Sequence, residues 1–435
     1  MIKPFRAIKD EYVQAYAGLP RRAWILFAVN LINSSGSMVF FFLSLYLTRK
    51  IGLTAGRMGQ ALSLYGFGSL GGAYAGGWLA DRIGSIRVQK ISLAVCGVLL
   101  IALGQVKSLA GILPLLFGMA LFAGMLYPAN ATSMAKICPP GLQVKGFALN
   151  RLANNLGATI GPAVGGLLAV RGYGLLFWAD GLTSLAAAAA FAVLWKGARK
   201  EAGTANGAGS ASATAALEAD NAEDRGRGRG SGAGAAVDAG PPKGRSPWRD
   251  VPFLLMQVIF FFWSVVFLQV LTTFPIYMRN VYGLAENKIG LLYPVNTILI
   301  VLFEMILMEK IRRYPLTRMI NLSFVLLGIG LGMMPLGRGF AYGALTVAVW
   351  TFGEMLSMPL VTALISERAD DSNRGRYMGL NSFSFSLAFI VGPAVGTAIY
   401  DGLGPDAVWY ICAATCAVIT VAFSALRPAL AKQRG

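Results

Sequence analysis

The 435-residue chain has no histidine, only 20 acidic residues and four cysteines, and charged residues make up just 13% of it. Without histidine the commonest proton relay is gone, so any proton coupling must run through carboxylates. Cys96, Cys138, Cys412 and Cys416 form no metal-like cluster, and the four-residue spacing of Cys412 and Cys416 reads as small residues packing on one helix. Met305 with Met308, and Met355 with Met358, have no His or Cys beside them to complete a thioether copper route, so they read as packing. The chain shows no nucleophile–base pair and no phosphate loop. The expectation is therefore no enzyme, no metal and no cofactor. Soluble domains average about 25% charged residues, so the scarcity of charge also argues against a soluble protein.

What the chain has in abundance is apolar sequence, 56% of its residues, gathered in long blocks. A bilayer core needs roughly 20 apolar residues per helix. Twelve such spans occur, near 24–47, 58–80, 88–107, 112–135, 147–170, 174–195, 252–278, 289–308, 317–336, 341–364, 378–400 and 407–427. They are too long for strands and lack the alternation of a membrane barrel, and backbone in lipid must bond internally, so each reads as a helix. The order is an N-terminal segment 1–23, a bundle of six helices over 24–195, a disordered linker 196–250, a second bundle over 251–427 and a tail 428–435. The linker reading rests on GAGSASATAA, DRGRGRGSGAG and AGPPKGRS, which hold almost no large apolar residue.

The net charge of +18 invites a nucleic-acid reading, but the placement of the charges argues against it. Of the 38 Lys and Arg, only Arg49, Lys50, Arg57, Lys107, Arg171, Arg279, Lys288 and Arg338 fall in loops on the side away from the termini. This is the positive-inside bias. It puts both termini and the linker in the cytoplasm, with anionic lipids as a sufficient partner and no nucleic acid. A bacterial inner membrane and a monomer are the expected setting.

The second half of the chain repeats the first at an offset of 231 residues. Tyr46 returns as Tyr277, Gly59 as Gly290, Pro128 as Pro359, Asn150 as Asn381 and Trp178 as Trp409, while Gly161-Pro162-Ala163-Val164-Gly165 returns unchanged from Gly392. A parallel repeat of two membrane halves suggests a pore-like or rocking device with its working site between them.

Span 2 ends in Gly77-Trp78-Leu79-Ala80-Asp81-Arg82-Ile83-Gly84, after a glycine-rich face of Gly68, Gly71, Gly72 and Gly76. Gly77 and that face permit close helix packing, and Gly84 allows a turn. Span 5 carries Gly157-Ala158-Thr159-Ile160-Gly161-Pro162-Ala163-Val164-Gly165-Gly166. At these residues the chain resembles the major facilitator superfamily of secondary transporters. The first string is similar to that family's loop 2–3 signature, and the second to the signature of its antiporter branches, chiefly drug/proton exporters. Ser85 and Ile86 stand where the family has two basic residues, and its Arg on span 4 has no counterpart. The resemblance implies an all-α membrane protein of 12 transmembrane helices in two parallel-repeat six-helix bundles. It also implies alternating access, with gating at Gly77, Asp81, Arg82, Gly84, Gly161, Pro162, Gly392 and Pro393.

Buried charge is the best local pointer to function. Glu354, mid-way along span 10, has Ala123 as its repeat partner, and Glu304 lies in span 8; both are candidates for coupling. The competing reading of Glu354 is a packed side chain bonded to a neighbouring helix. Asp180 in span 6 reads as structural. Polar residues expected to line a substrate cavity are Asn30, Asn33, Tyr65, Tyr127, Gln269, Tyr293 and Asn296; Asn130, Asn154, Gln257 and Asn381 are further polar positions on the same helices. Taken singly, each also fits interhelical bonding. The expected function is proton-coupled efflux of a small amphiphilic molecule. The alternatives are uptake or facilitated diffusion of a metabolite, and a non-transporting sensor or lipid-handling scaffold.

Overall fold

The computed structural model describes residues 17–139, 142–205, 246–311, 313–369 and 373–431. The expected N-terminal segment as far as residue 16, the linker over 206–245 and the tail from 432 lie outside the described residues. Among the described residues the regular structure is helical throughout. The helices are α1 (Arg21–Gly36), α2 (Val39–Leu45), α3 (Ala55–Leu79), α4 (Ser85–Gln105), α5 (Leu109–Ile137), α6 (Gln143–Arg171) and α7 (Tyr173–Ala205). After a 3-10 turn at Pro247–Arg249 come α8 (Val251–Thr272), α9 (Phe274–Asn280), α10 (Glu286–Ile311), α11 (Leu316–Gly332), α12 (Phe340–Arg368), α13 (Arg374–Leu403) and α14 (Pro405–Ala431).

The twelve spans thus appear in order, with spans 1 and 7 each broken in two. Nine segments among the described residues are long and apolar enough to cross a membrane, and one of them, Ala55–Gln105, takes in both α3 and α4. Large apolar residues are exposed along α4 (Ile91, Val98), α7 (Leu182, Val193) and α14 (Val418, Val421). In water such faces would be a liability, whereas in lipid they are the solvated surface.

The breaks have local causes. Between α1 and α2 the Met38 N–H leaves the helical ladder and donates to Asp180 Oδ2 at 3.1 Å. Asp180 is buried, and this is the structural role expected of it. Between α8 and α9 the missing N–H of Pro275 interrupts the ladder, and Thr273 Oγ1 donates to Gln269 Oε1 at 2.6 Å. Two ends differ from expectation. Helix α7 continues to Ala205, ten residues past the expected span, and Pro247–Arg249, inside the expected disordered linker, form an ordered turn followed by a capped helix.

The chain packs as two compact units. Of the described residues, unit 1 takes those within 17–38, 67–161 and 174–205, and unit 2 those within 39–66, 162–173 and 246–431. The division runs through α3 and through the proline of α6, so α2, the start of α3 and the end of α6 pack among second-half helices.

In unit 1 the core gathers Leu26, Leu93, Met134, Leu149, Phe191 and Trp195. Here α3 and α5 cross very closely: a Cβ on Gly72 would sit 2.0 Å from the Leu121 carbonyl, and one on Gly76 would sit 2.6 Å from Met125 Cα. Any side chain there would force the helices apart. Gly77 does not share this role, because a Cβ on it would meet open space. It lies one residue past Gly76, about 100° around the helix, and so misses the α5 face.

In unit 2 the core is aromatic. Phe260, Phe324 and Phe423 meet edge to face, and Trp409 stands against Tyr277 and Phe274.

Candidate functional site

Unit 1 contains a cavity of about 240 Å³ walled by α1, α4, α5 and α6. Asn30, Asn33, Tyr127, Asn130, Asn150 and Asn154 line it. Helices α1 and α6 approach closely enough for this because Gly157 has no side chain: a Cβ there would lie 2.2 Å from Ser34 Cβ. The approach lets Asn30 Nδ2 donate to Asn150 Oδ1 and to Asn154 Oδ1, both at 2.9 Å. Ser34 Oγ donates to the same Asn154 Oδ1 at 3.1 Å. Four residues, two on each of two helix faces, so form one polar clamp. Gly161, one turn beyond Gly157, keeps α6 against the Ser34 and Ser35 carbonyls of α1.

Unit 2 contains a second polar cluster. Asn296 Nδ2 on α10 donates to Glu354 Oε2 at 2.7 Å and to Thr351 Oγ1 at 3.0 Å. Thr351 Oγ1 in turn donates to the Val347 carbonyl. One amide thus holds a carboxylate that lies on a membrane-spanning helix. A carboxylate accepts this bond in its charged form, and when protonated it becomes a donor as well. The cluster therefore has a different best arrangement for each protonation state. Glu304, on α10, is half-buried.

The other expected cavity residues fall elsewhere in unit 2. The Tyr65 ring lies tilted against Phe40 and Phe389 at centroid separations of 5.4 and 5.9 Å. Tyr293 is buried, its ring 4.7 Å from Phe41 and its hydroxyl 3.5 Å from the Val270 carbonyl. Gln269 spends its amide on packing: Nε2 donates to the Gly392 carbonyl at 2.9 Å, and Oε1 accepts from Thr273.

The repeated Gly-Pro strings make matched contacts within unit 2. A Cβ on Gly290 would lie 2.3 Å from the Pro162 carbonyl. A Cβ on its repeat partner Gly59 would lie 2.7 Å from the carbonyl of Pro393, itself the repeat partner of Pro162, and 1.9 Å from Thr397 Oγ1. Each half thus presents a glycine to the other half's proline carbonyl. The same ends carry two polar ties: Tyr173 OH donates to Glu286 Oε1 at 3.1 Å, and the Gly56 N–H donates to Asp401 Oδ2 at 2.6 Å. At the other end of α3, Gly84 has φ of +89°, a conformation that L side chains rarely adopt, and it turns the chain into α4. Asp81 and Arg82 in that turn are exposed, and the Arg82 guanidinium lies 4.0 Å from the centre of the Trp78 ring.

Sequence reasoning missed one site. Arg368 at the end of α12 binds Asp250 through two hydrogen bonds, one of them from Nε to Oδ2 at 2.6 Å, and Tyr377 OH donates to Asp250 Oδ2 at 3.1 Å. The pair is buried, with side chains 1% and 4% exposed. Asp250 also caps α8 by accepting from the Phe253 N–H. Burial alone would raise the Asp250 pKa, but the hydrogen bonds and charge of Arg368, with help from Phe253 N–H and Tyr377, hold it below the usual carboxylate value. The Asp followed by Val251-Pro252 is a recognisable helix start, an N-cap residue with Pro in the first turn.

A sequence model of the Major Facilitator Superfamily matches residues 25–373 and 351–435. The chain is 23% identical over 390 residues to the uncharacterized MFS-type transporter YttB of Bacillus subtilis, covering 89% of this chain and 90% of that one. It is 24% identical over 397 residues to a Na(+), Li(+), K(+)/H(+) antiporter of Planococcus maritimus, covering 83% and 85%. Its fold is similar to that of the peptide transporter POT in complex with sulfate, with a TM-score of 0.75 at 17% identity over 96% of this chain and 98% of that one. These likenesses make it a multi-pass membrane protein of a transporter family rather than of an enzyme family, with a small molecule as the kind of partner such a protein takes. The chain belongs to the Major Facilitator Superfamily.

Proposed function

We propose that this protein is a secondary active transporter that works by rocker-switch alternating access and expels a small amphiphilic molecule in exchange for protons, with Glu354 as the coupling group. The observation that carries the reading is the Asn296–Glu354–Thr351 cluster, in which the Asn296 amide bonds a titratable carboxyl on a membrane-spanning helix. A proton can drive a change of state only if it binds the two states with different affinity, and a carboxyl that gains a donor on protonation supplies such a difference. Proton exchange is further supported by the antiporter among the relatives. The positive-inside bias puts both termini in the cytoplasm, and alternation of the helices then puts the Gly59–Pro393 and Gly290–Pro162 contacts at the outer end. We assign these contacts, with the Tyr173–Glu286 and Gly56–Asp401 ties, to an outer gate in its closed arrangement. The likeness to the Na(+), Li(+), K(+)/H(+) antiporter of Planococcus maritimus favours one second reading, exchange of a monovalent metal cation for protons.

The test is flux in proteoliposomes under an imposed pH gradient. Wild type should respond to the gradient. Glu354→Gln, which keeps a hydrogen-bonding side chain but cannot titrate, should transport without that response or not at all. A Glu354→Gln protein with wild-type flux and wild-type pH dependence refutes the coupling role.

A further inference from the structure

The unit 1 cavity differs in chemistry from the Glu354 cluster. Among the described residues that line it, none is Asp, Glu, Lys or Arg; its polar wall is made of amides and hydroxyls. The clamp fixes which way those amides point. Asn154 Oδ1 accepts from both Asn30 and Ser34, and Asn150 Oδ1 accepts from Asn30, so the Nδ2 groups of Asn150 and Asn154 are left to donate elsewhere. Asn130 supplies the opposite need: its Oδ1 is shielded from solvent and has no hydrogen-bond partner among the described residues. Donors on α6 and a waiting acceptor on α5 therefore line one space. Val29, Leu93, Ala123 and Leu126 give the same cavity an apolar side.

A hydroxyl answers this pattern, because one oxygen both accepts and donates. A carboxylate only accepts and would meet Asn130 Oδ1 unfavourably. A quaternary ammonium offers no donor and would find no anionic partner. A volume of about 240 Å³ has room for about eight water-sized groups at about 30 Å³ each. We infer that the unit 1 cavity is the subsite for the uncharged, hydroxyl-bearing part of the substrate, of monosaccharide size. This rests on reading the protein as a transporter, and it narrows the amphiphilic substrate to one whose polar end is neutral.

The test is thermal unfolding of the full chain in detergent with millimolar glucose, inositol or xylitol, set against choline, lactate and sodium chloride. A binder raises the apparent melting temperature by mass action. At least one polyol should do so, and the charged probes should not. Asn130→Leu should weaken that binding about tenfold, the effect of one lost hydrogen bond. Asn130 stands outside the clamp, so its variant should fold; its melt without ligand checks this, and Asn130→Ala serves if leucine does not fit. Stabilisation by choline, lactate or sodium and by no polyol overturns the inference. So does the absence of any polyol effect on wild type, or unchanged polyol affinity in a folded Asn130 variant. The two readings fail separately. Proton-driven flux of a charged solute with no polyol binding sinks the subsite and leaves the transporter, whereas polyol binding without flux of any solute does the reverse.

Discussion

A side chain added at Gly290 or Gly59 should push the transporter out of the arrangement described here. Gly290 lies on α10 where a Cβ would stand 2.3 Å from the Pro162 carbonyl, 3.1 Å from Gly166 Cα and 3.2 Å from the Phe42 ring. Two of these three neighbours are backbone, which does not yield as a flexible side chain does. Overpacking of this kind costs about 1–3 kcal/mol. If the contact exists only while this end is closed, the whole cost falls on the closed state. The equilibrium then moves by about 5–150-fold toward the open one. Gly59→Val should act in the same direction, since its Cβ meets Thr397 Oγ1 at 1.9 Å and the Pro393 carbonyl at 2.7 Å. Spin labels at the exposed positions Lys50 and Lys288 allow the distance across this end to be read by electron–electron double resonance. Both variants should enrich a longer distance. Gly174→Ala, whose Cβ meets nothing within 4 Å, should match wild type. A folded Gly290→Val protein with the wild-type distance distribution would refute the argument and make the matched glycines static packing.

Two further outcomes follow from the polar ties. Tyr173→Phe removes the bond to Glu286 Oε1, worth about 0.5–1.5 kcal/mol. It should enrich the same long distance more weakly than Gly290→Val, and an unchanged distribution would remove that tie from the gate. Arg368→Met leaves the Asp250 carboxylate buried without its guanidinium, a loss of about 3–5 kcal/mol that should appear as a lower melting temperature. The pH dependence has a definite sign. The folded pKa of Asp250 lies below its reference value of 3.8, so its stabilisation is fully present above that pH and is lost as pH falls toward the folded value. Wild type should therefore lose more stability than Asp250→Asn on acidification below about pH 4. Equal acid sensitivity in the two proteins would count against the ion pair.

The helical frame was legible because its cause is local: a stretch of apolar residues long enough to cross a bilayer can satisfy its backbone there only as a helix. The glycines of α3 were legible for the same reason, apart from Gly77, where a step of one residue decides which helix is faced. The cavity was half legible. Asn30 and Asn33 share one face by spacing, but nothing in the sequence says that Asn30 meets Asn150 and Asn154, which lie 120 and 124 residues away. Gln269 shows the opposite failure. It is polar, and it sits on the expected helix, yet its amide is consumed by the Gly392 carbonyl and Thr273. The Asp250–Arg368 pair was hidden because the boundary between linker and helix was drawn by composition. A charged residue next to a polar linker looks like part of it until its partner, 118 residues on, is brought alongside.

The repeat gains its meaning from where it is kept and where it is lost. Gly59 and Gly290, Pro162 and Pro393 are kept, and they make the same contact twice, each half's glycine against the other's proline carbonyl. Contacts that two related halves must make and break together are under the same steric demand in both, so neither half can drift without the other. The polar positions are under no such demand. Asn296 and Glu354 bond to each other in the second half, while their repeat partners are Tyr65, tilted against Phe40 and Phe389, and Ala123, in the wall of the uncharged cavity. On the proposed reading this is a division of labour: one half holds a neutral substrate group, and the other holds the proton. Placing a carboxylate at Ala123 tests this division directly. Ala123→Glu would put a second titratable group in the amide-lined cavity and should abolish polyol stabilisation. Retained polyol binding in a folded Ala123→Glu protein would show that the absence of charge at this wall is incidental.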